Sequence, residues 1–197
     1  MRRISWPNNG TLKKINNILL AVIIVINSYI LTAPFVPLLK YEAKQRITKP
    51  VKVDPEDENS IKNIDRSRNH LILPTIQLDE PVLVSNNPAT VHKGVWHRPN
   101  TNLPDQFGNT VLVGHRFTYD GAAVFYNLDK LQIQDDVYLV YEQKIYHYEV
   151  RESKIVTPSA TEVEAPSEAV KLTIYTCTPI WSAKDRLVYV AELKEVL

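Results

Sequence analysis

The sequence predicts a mainly β protein: a small closed β-barrel with one or two short helices, preceded by an N-terminal transmembrane helix. Three observations carry that expectation. Residues 15–39 contain no charged side chain. From His70 onward, short β-branched and apolar runs alternate with turn residues at close intervals, the pattern of a sandwich or small barrel. Glycine is scarce, at 5, and proline plentiful, at 13, which suits an ordered β domain with punctuated turns.

The 197 residues are enough for one domain and an appendage. Residues 1–14 form a basic lead with Arg2, Arg3, Lys13 and Lys14, and residues 15–39 form the anchor. About 20 apolar residues span a bilayer as a helix, and the run Ile18 to Ile26, continued by Tyr29-Ile30-Leu31, supplies them around Asn27 and Ser28. A buried core helix and a cleaved signal peptide are the competing readings. The run exceeds a signal core in length, and no small-x-small cleavage site follows it. Lys40, Lys44, Arg46, Lys49 and Lys52 lie beyond the span, so basic residues flank both ends and charge alone leaves the orientation open. Residues 40–69, with Pro50, Pro55 and an acidic run, read as a stalk or linker.

The catalytic-domain candidate is 70–197. Strands are expected at 71–76, 81–84, 94–97, 109–115, 137–141, 145–156, 170–176 and 187–193. Asn86 to Val91 reads as a helical turn. Ala122 to Leu131, with Phe125, Leu128 and Leu131 on one face, reads as a short helix. Glu142-Gln143-Lys144 marks a hairpin, and Pro158 to Pro166 a loop. Proline ends the cysteine strand at Thr178-Pro179 because it cannot donate to a ladder.

The residues with chemical potential sit at strand ends. Cys177, the only cysteine, ends one strand, and Arg186 begins the next, nine residues on. A short antiparallel connection brings two such residues together, giving a thiol an electrophilic partner. His115 ends the strand Asn109 to His115, after Gly114, which allows close backbone approach, and lies 62 residues before Cys177. Such a separation suits adjacency in space rather than in sequence. His97, after Trp96, is the rival base and a substrate-groove candidate. Thr176 and Thr178 either line the groove or cap the strand end. Trp181 is the better apolar wall for a substrate, Trp96 the better core residue. Lys184 and Arg116 are alternatives to Arg186, and no carboxylate is paired to His115 by spacing. A net charge of +1 favours no nucleic-acid partner. A single cysteine excludes an intrachain disulfide and a cysteine-based zinc cluster. No metal site and no phosphate-cradling glycine loop is apparent, so no cofactor is expected.

A strand ending Gly114-His115-Arg116, a later strand Leu172-Thr173-Ile174-Tyr175-Thr176-Cys177 and Arg186 beyond it resemble the sortases, cysteine transpeptidases tethered to bacterial membranes. Trp96-His97-Arg98-Pro99 and Val124 to Leu131 extend the resemblance over about residues 70–193. The resemblance implies a sortase-type barrel and an extracytoplasmic catalytic domain on a single-pass anchor. It also implies Cys177 as nucleophile, His115 as acid and base, Arg186 as oxyanion donor, and a recognition role for the 158–166 loop. The implied partners are C-terminal sorting-signal peptides of secreted proteins and an amine of the cell envelope. The Cys–Arg loop most resembles the class E-like housekeeping types. A pilin-polymerising sortase using a pilin lysine, a membrane-bound cysteine endopeptidase using water, and a non-catalytic envelope-binding domain are the alternatives. An L,D-transpeptidase is excluded, because its Ser-x-Gly-Cys-x-Arg setting is absent.

Overall fold

The structure, a computed structural model, describes residues 9–36, 39, 42–43, 53–54, 57–118 and 123–197. Residues 1–8 of the basic lead, most of 40–52, Pro55-Glu56 and Asp120 to Ala122 lie outside the described residues. The chain divides into two units, Met1–Lys40 and Tyr41–Leu197.

The first unit is helix α1 (Asn9–Thr32), 24 residues with none buried, long and apolar enough to cross a membrane by length and composition. At 1.5 Å per residue it is about 36 Å long, against a hydrocarbon core of about 30 Å. It begins before the uncharged run and takes in Lys13 and Lys14, since lysine is a good helix former. It gives way to a 3-10 turn at Ala33–Phe35, because Pro34 has no N–H with which to continue the i→i−4 ladder. Its polar side chains serve themselves: Asn27 Nδ2 donates to the Ile23 carbonyl and Thr32 Oγ1 to that of Ser28, both at 2.8 Å. Polar groups bonded to their own helix need no water.

The second unit is a closed barrel of eight strands. These are β1 (His70–Leu73), β2 (Leu78–Val84), β3 (Val95–His97), β4 (Asn109–Val113), β5 (Asp136–Tyr141), β6 (Lys144–Val156), β7 (Lys171–Thr178) and β8 (Asp185–Val196). The order around the barrel is β1-β2-β3-β4-β7-β8-β6-β5. Two pairs, β2 with β3 and β4 with β7, are parallel, and the rest are antiparallel. The interior holds Leu71, Leu73, Leu112, Phe125, Leu128, Tyr148, Leu172 and Ile174. Closure gives every strand a paired neighbour on each side.

Several elements differ in detail from the sequence expectation. The first strand stops at Leu73, and Pro74–Ile76 is a 3-10 turn with proline at its start, where the missing N–H costs nothing. β4 stops at Val113, so Gly114 and His115 lie just beyond it. The described part of 122–131 is a set of turns with a 3-10 helix at Leu128–Lys130, not an α-helix. Spacing of three residues between Phe125, Leu128 and Leu131 serves a 3-10 turn as well as an α-helix. Between β5 and β6 the two turn residues Glu142 and Gln143 have φ of 47° and 66°, the left-handed geometry of a two-residue hairpin.

Part of the segment read as a stalk packs on the barrel. Asp57 caps helix α2 (Glu58–Lys62) by accepting from the Asn59 N–H at 2.9 Å. Val53 and Ile64 are buried in a cluster with Ile72, Tyr138, Val140 and Ile145, and Ile61 packs against it. The apolar residues are too few and too irregularly spaced to show as a period among the charges.

Candidate active site

β4 and β7 run parallel with Asn109 opposite Lys171 and Val113 opposite Tyr175, a constant offset of 62 residues. Continued two residues past the strand end, that register sets His115 against Cys177. Hydrogen bonds at the same offset bracket the pair. Thr176 Oγ1 donates to the Gly114 carbonyl at 2.8 Å, and Arg116 Nη1 donates to Thr178 Oγ1 at 2.8 Å. On the other side β7 and β8 are antiparallel, with Cys177 directly opposite Arg186. Two registers therefore converge on one thiol.

The three side chains line one groove of about 240 Å³, with Trp96, Arg98, Val113, Gly114, Tyr175 and Thr176 among its walls. Cys177 is half-buried and free. Gly114 is required by space: a Cβ there would stand 2.6 Å from Val124 Cγ2 and 2.8 Å from Phe125 Cδ2. Phe125 also donates its N–H to the His115 carbonyl at 3.0 Å, which fixes the backbone after β4. His115 is half-buried, and burial, then the neighbouring His92, hold its imidazole below the usual histidine range. Nη1 of Arg186 donates to the carbonyls of Ala183 and Asp185, at 3.2 and 3.1 Å. Ala183 reaches that position with φ of 49°.

The other sequence candidates separate. Thr176 lines the groove, but its hydroxyl is spent on Gly114. Thr178 is buried and accepts from Arg116, so it ties the strand end and does not reach the groove. His97 is not brought to the groove: it is buried, its ring nitrogen Nε2 lies 3.0 Å from the Asn102 carbonyl, and it lines a separate dimple with Val82 and Leu112. Successive strand residues face opposite ways, so Trp96 and Arg98 take the groove side. Trp96 therefore serves the groove wall while its Nε1 donates to the Ser85 carbonyl at 2.8 Å. Trp181 is 66% exposed and pairs with Phe117 at 4.9 Å between ring centroids, outside the groove lining. Lys184 does not line the groove either. The charge of Arg116 is committed to Asp129 at 2.6 Å.

Two features escaped sequence reasoning. His92 Nδ1 lies 3.3 Å from His115 Nε2, a meeting that only the barrel closure reveals. Glu164, in the 3-10 turn Thr161–Glu164 of the β6–β7 loop, accepts from Arg98 Nε and Nη2 at 2.9 and 3.1 Å and from the Tyr175 hydroxyl at 2.5 Å. Burial, then this bond, pushes the Tyr175 hydroxyl well above its ordinary value. Asn109 Nδ2 holds the same loop through the carbonyls of Val163 and Ala165, each at 3.1 Å. The Arg98 guanidinium lies 5.1 Å over the Trp96 ring.

The closed barrel agrees with the comparisons. A model of the sortase domain family matches residues 71–194, and the chain belongs to the sortase family. Sortase D of Bacillus subtilis (strain 168) is 30% identical over 110 residues, which cover 55% of this chain and 53% of that protein. The match thus spans about half the length of that relative. Sortase C1 of Streptococcus agalactiae, solved in complex with MTSET, superposes with a TM-score of 0.60 at 28% identity, covering 64% of this chain and 67% of the other. A Clostridium perfringens sortase D5 transpeptidase superposes at 0.59 with 26% identity, covering 72% and 88%. Solved structures named sortase A and sortase E match as well, so the fold does not select a subclass.

Proposed function

We propose that the chain is a membrane-anchored cysteine transpeptidase that cleaves a C-terminal sorting motif and joins the new acyl end to an amine of the cell envelope. The observation that carries this reading is the convergence of Cys177, His115 and Arg186 on one groove through the β4–β7 and β7–β8 registers.

In this reading the Cys177 thiolate attacks the scissile carbonyl, and Arg186 donates to the oxygen as it gains negative charge. His115 gives a proton to the departing amine as the C–N bond breaks, leaving a thioester on Cys177. An incoming amine attacks that thioester, His115 takes its proton, and the C–S bond breaks to release the new amide. No external reductant or oxidant enters. Because His115 is held below the usual histidine range, its imidazole is mostly neutral at neutral pH. Helix α1 acts as an uncleaved single-pass anchor with the barrel outside the cytoplasm, and residues 40–69 join the two.

The test uses the full chain in detergent micelles with a pool of sorting-type peptides, with and without amines. Both a peptidoglycan-type amine and a lysine peptide are supplied, and products are read by mass spectrometry. A peptide–amine adduct that disappears in Cys177→Ala, His115→Ala and Arg186→Ala is expected, and the amine consumed separates envelope anchoring from pilin polymerisation. Hydrolysis alone in the presence of both amines would replace transpeptidation with a cysteine endopeptidase. Turnover surviving Cys177→Ala would overturn the mechanism.

A further inference from the structure

The side chain that meets His115 is a second imidazole. His92 ends the 3-10 turn Pro88–His92 between β2 and β3. Its Nδ1 lies 3.3 Å from Nε2 of His115, with ring centroids 4.8 Å apart and planes inclined at 43°. At that distance one facing nitrogen carries the hydrogen and the other accepts it. Two protonated rings would turn the contact into a repulsion. With Nε2 engaged, Nδ1 of His115 has no hydrogen-bond partner among the described residues, and the ring lines the same groove as Cys177.

We propose that His92 is a positioning residue for His115, holding its Nε2 and reserving Nδ1 for the proton exchanged with the leaving and incoming amines. This rests on the transpeptidase reading above. His115 donates through Nε2 to neutral His92, so the imidazolium formed during the reaction is hydrogen-bonded at the face away from substrate. When the thioester forms, the Nδ1 proton goes to the departing amine nitrogen. When the incoming amine attacks, its proton returns to Nδ1.

The charged and titratable groups facing the pair make its proton count matter. Arg98 beyond β3, Arg186 on β8, and Cys177 and Tyr175 on β7 line the groove with His115, and no carboxylate is among the described lining residues. Arg116, next in the chain, is committed to Asp129. With no carboxylate among those lining residues, a second positive charge beside the His115 ring would go unbalanced. His92 is exposed, so replacing it leaves the barrel core intact.

The test is made on the full chain in detergent, with histidine ring nitrogens labelled with 15N and followed by NMR across pH. Native protein, His92→Leu and His92→Asn are compared. The Asn side chain places an amide oxygen near the position of Nδ1 and cannot take a charge. The native His115 is expected as the Nε2–H tautomer. His92→Leu mixes the tautomers, and His92→Asn keeps Nε2–H. His92→Leu, which removes the acceptor at Nε2, shifts the His115 titration, and His92→Asn, which keeps an acceptor there, shifts it less. In peptide joining, His92→Leu lowers kcat roughly tenfold at unchanged KM, the size of one lost orienting hydrogen bond, and His92→Asn recovers most of it. An unchanged tautomer and titration of His115 in His92→Leu would overturn the proposal. The ring signals need no peptide, so a chain that joins no sorting peptide counts against the transpeptidase reading and not against the pair.

Discussion

Arg116 and Thr178 are hydrogen-bonded at 2.8 Å, one residue beyond His115 and Cys177 on their respective segments. The guanidinium is buried, paired to Asp129 on one side and to the threonine hydroxyl on the other. It ties together the two chain ends that carry the candidate base and nucleophile.

Thr178→Val removes the acceptor and leaves a buried guanidinium N–H unpaired. The expected loss is about 1–2 kcal/mol in denaturant unfolding, with slower alkylation of the single thiol where the groove is distorted. Thr178→Ser keeps the hydroxyl and should restore most of the stability. Equal stabilities for the Val and native chains would remove the clamp from the account.

Gly114→Ala forces a methyl group into the space of Val124 and Phe125. Such overpacking costs about 1–3 kcal/mol and displaces His115, so peptide joining should fall more than stability alone explains. Adding Val124→Ala opens the space, and the double variant should recover part of both. Strict additivity of the two substitutions would show that they do not share this contact.

The β6–β7 loop depends on Glu164. Arg98 and Glu164 are 33% and 24% exposed, so solvent screens the pair and Glu164→Gln should cost only about 1 kcal/mol. The larger effect is local. Hydrogen exchange over 161–165 should quicken in Glu164→Gln and in Asn109→Ala while the β-strands stay protected. If the loop recognises the sorting motif, KM rises with little change in kcat. Unaltered exchange in both variants would mean the loop is held by something else.

The depressed titration of His115 has a signed consequence for stability. Its folded-state value lies below the unfolded one, so between the two the unfolded chain binds more protons. Stability therefore rises with pH through that window, is fully present above about pH 6.5, and is lost as the pH falls through the folded value. His115→Gln should flatten the slope of unfolding free energy below pH 6.5. An unchanged slope would show that His115 titrates alike folded and unfolded.

The placement of the candidate residues at strand ends was readable in the sequence. Cys177, His115 and Arg186 each follow or begin an apolar β-branched run, and strands ending in a lone polar residue deliver it to a barrel rim. The turn at Pro88 to His92 and the β5–β6 hairpin were legible for the same local reasons. What could not be read is which strands become neighbours. The parallel pairing of β4 with β7 is invisible in either strand alone, and with it the bonds of Thr178 to Arg116 and of His92 to His115. His97 was misplaced because a position near a strand end does not say which face the residue takes. The helix drawn from Ala122 to Leu131 failed because a three-residue apolar spacing does not distinguish a 3-10 turn. Val53 and Ile64 were hidden because two apolar residues among charges leave no period, although the barrel wall buries both.

Hydrogen bonds at Thr176 and Thr178 flank Cys177, and this makes the candidate nucleophile intolerant of a frame error. Were β7 to shift by one residue against β4 in either direction, a threonine would stand opposite His115 and the thiol would turn to the opposite face. The rim would then present a hydroxyl in place of sulfur, and a folded barrel would be chemically mute. Loops elsewhere in 117–170 can lengthen or be exchanged without this hazard, since they alter neither rung of the pairing. Insertions within 109–116 or 171–178 cannot. For protein engineering, this separates a region where new specificities can be grafted from two eight-residue segments whose length must be kept.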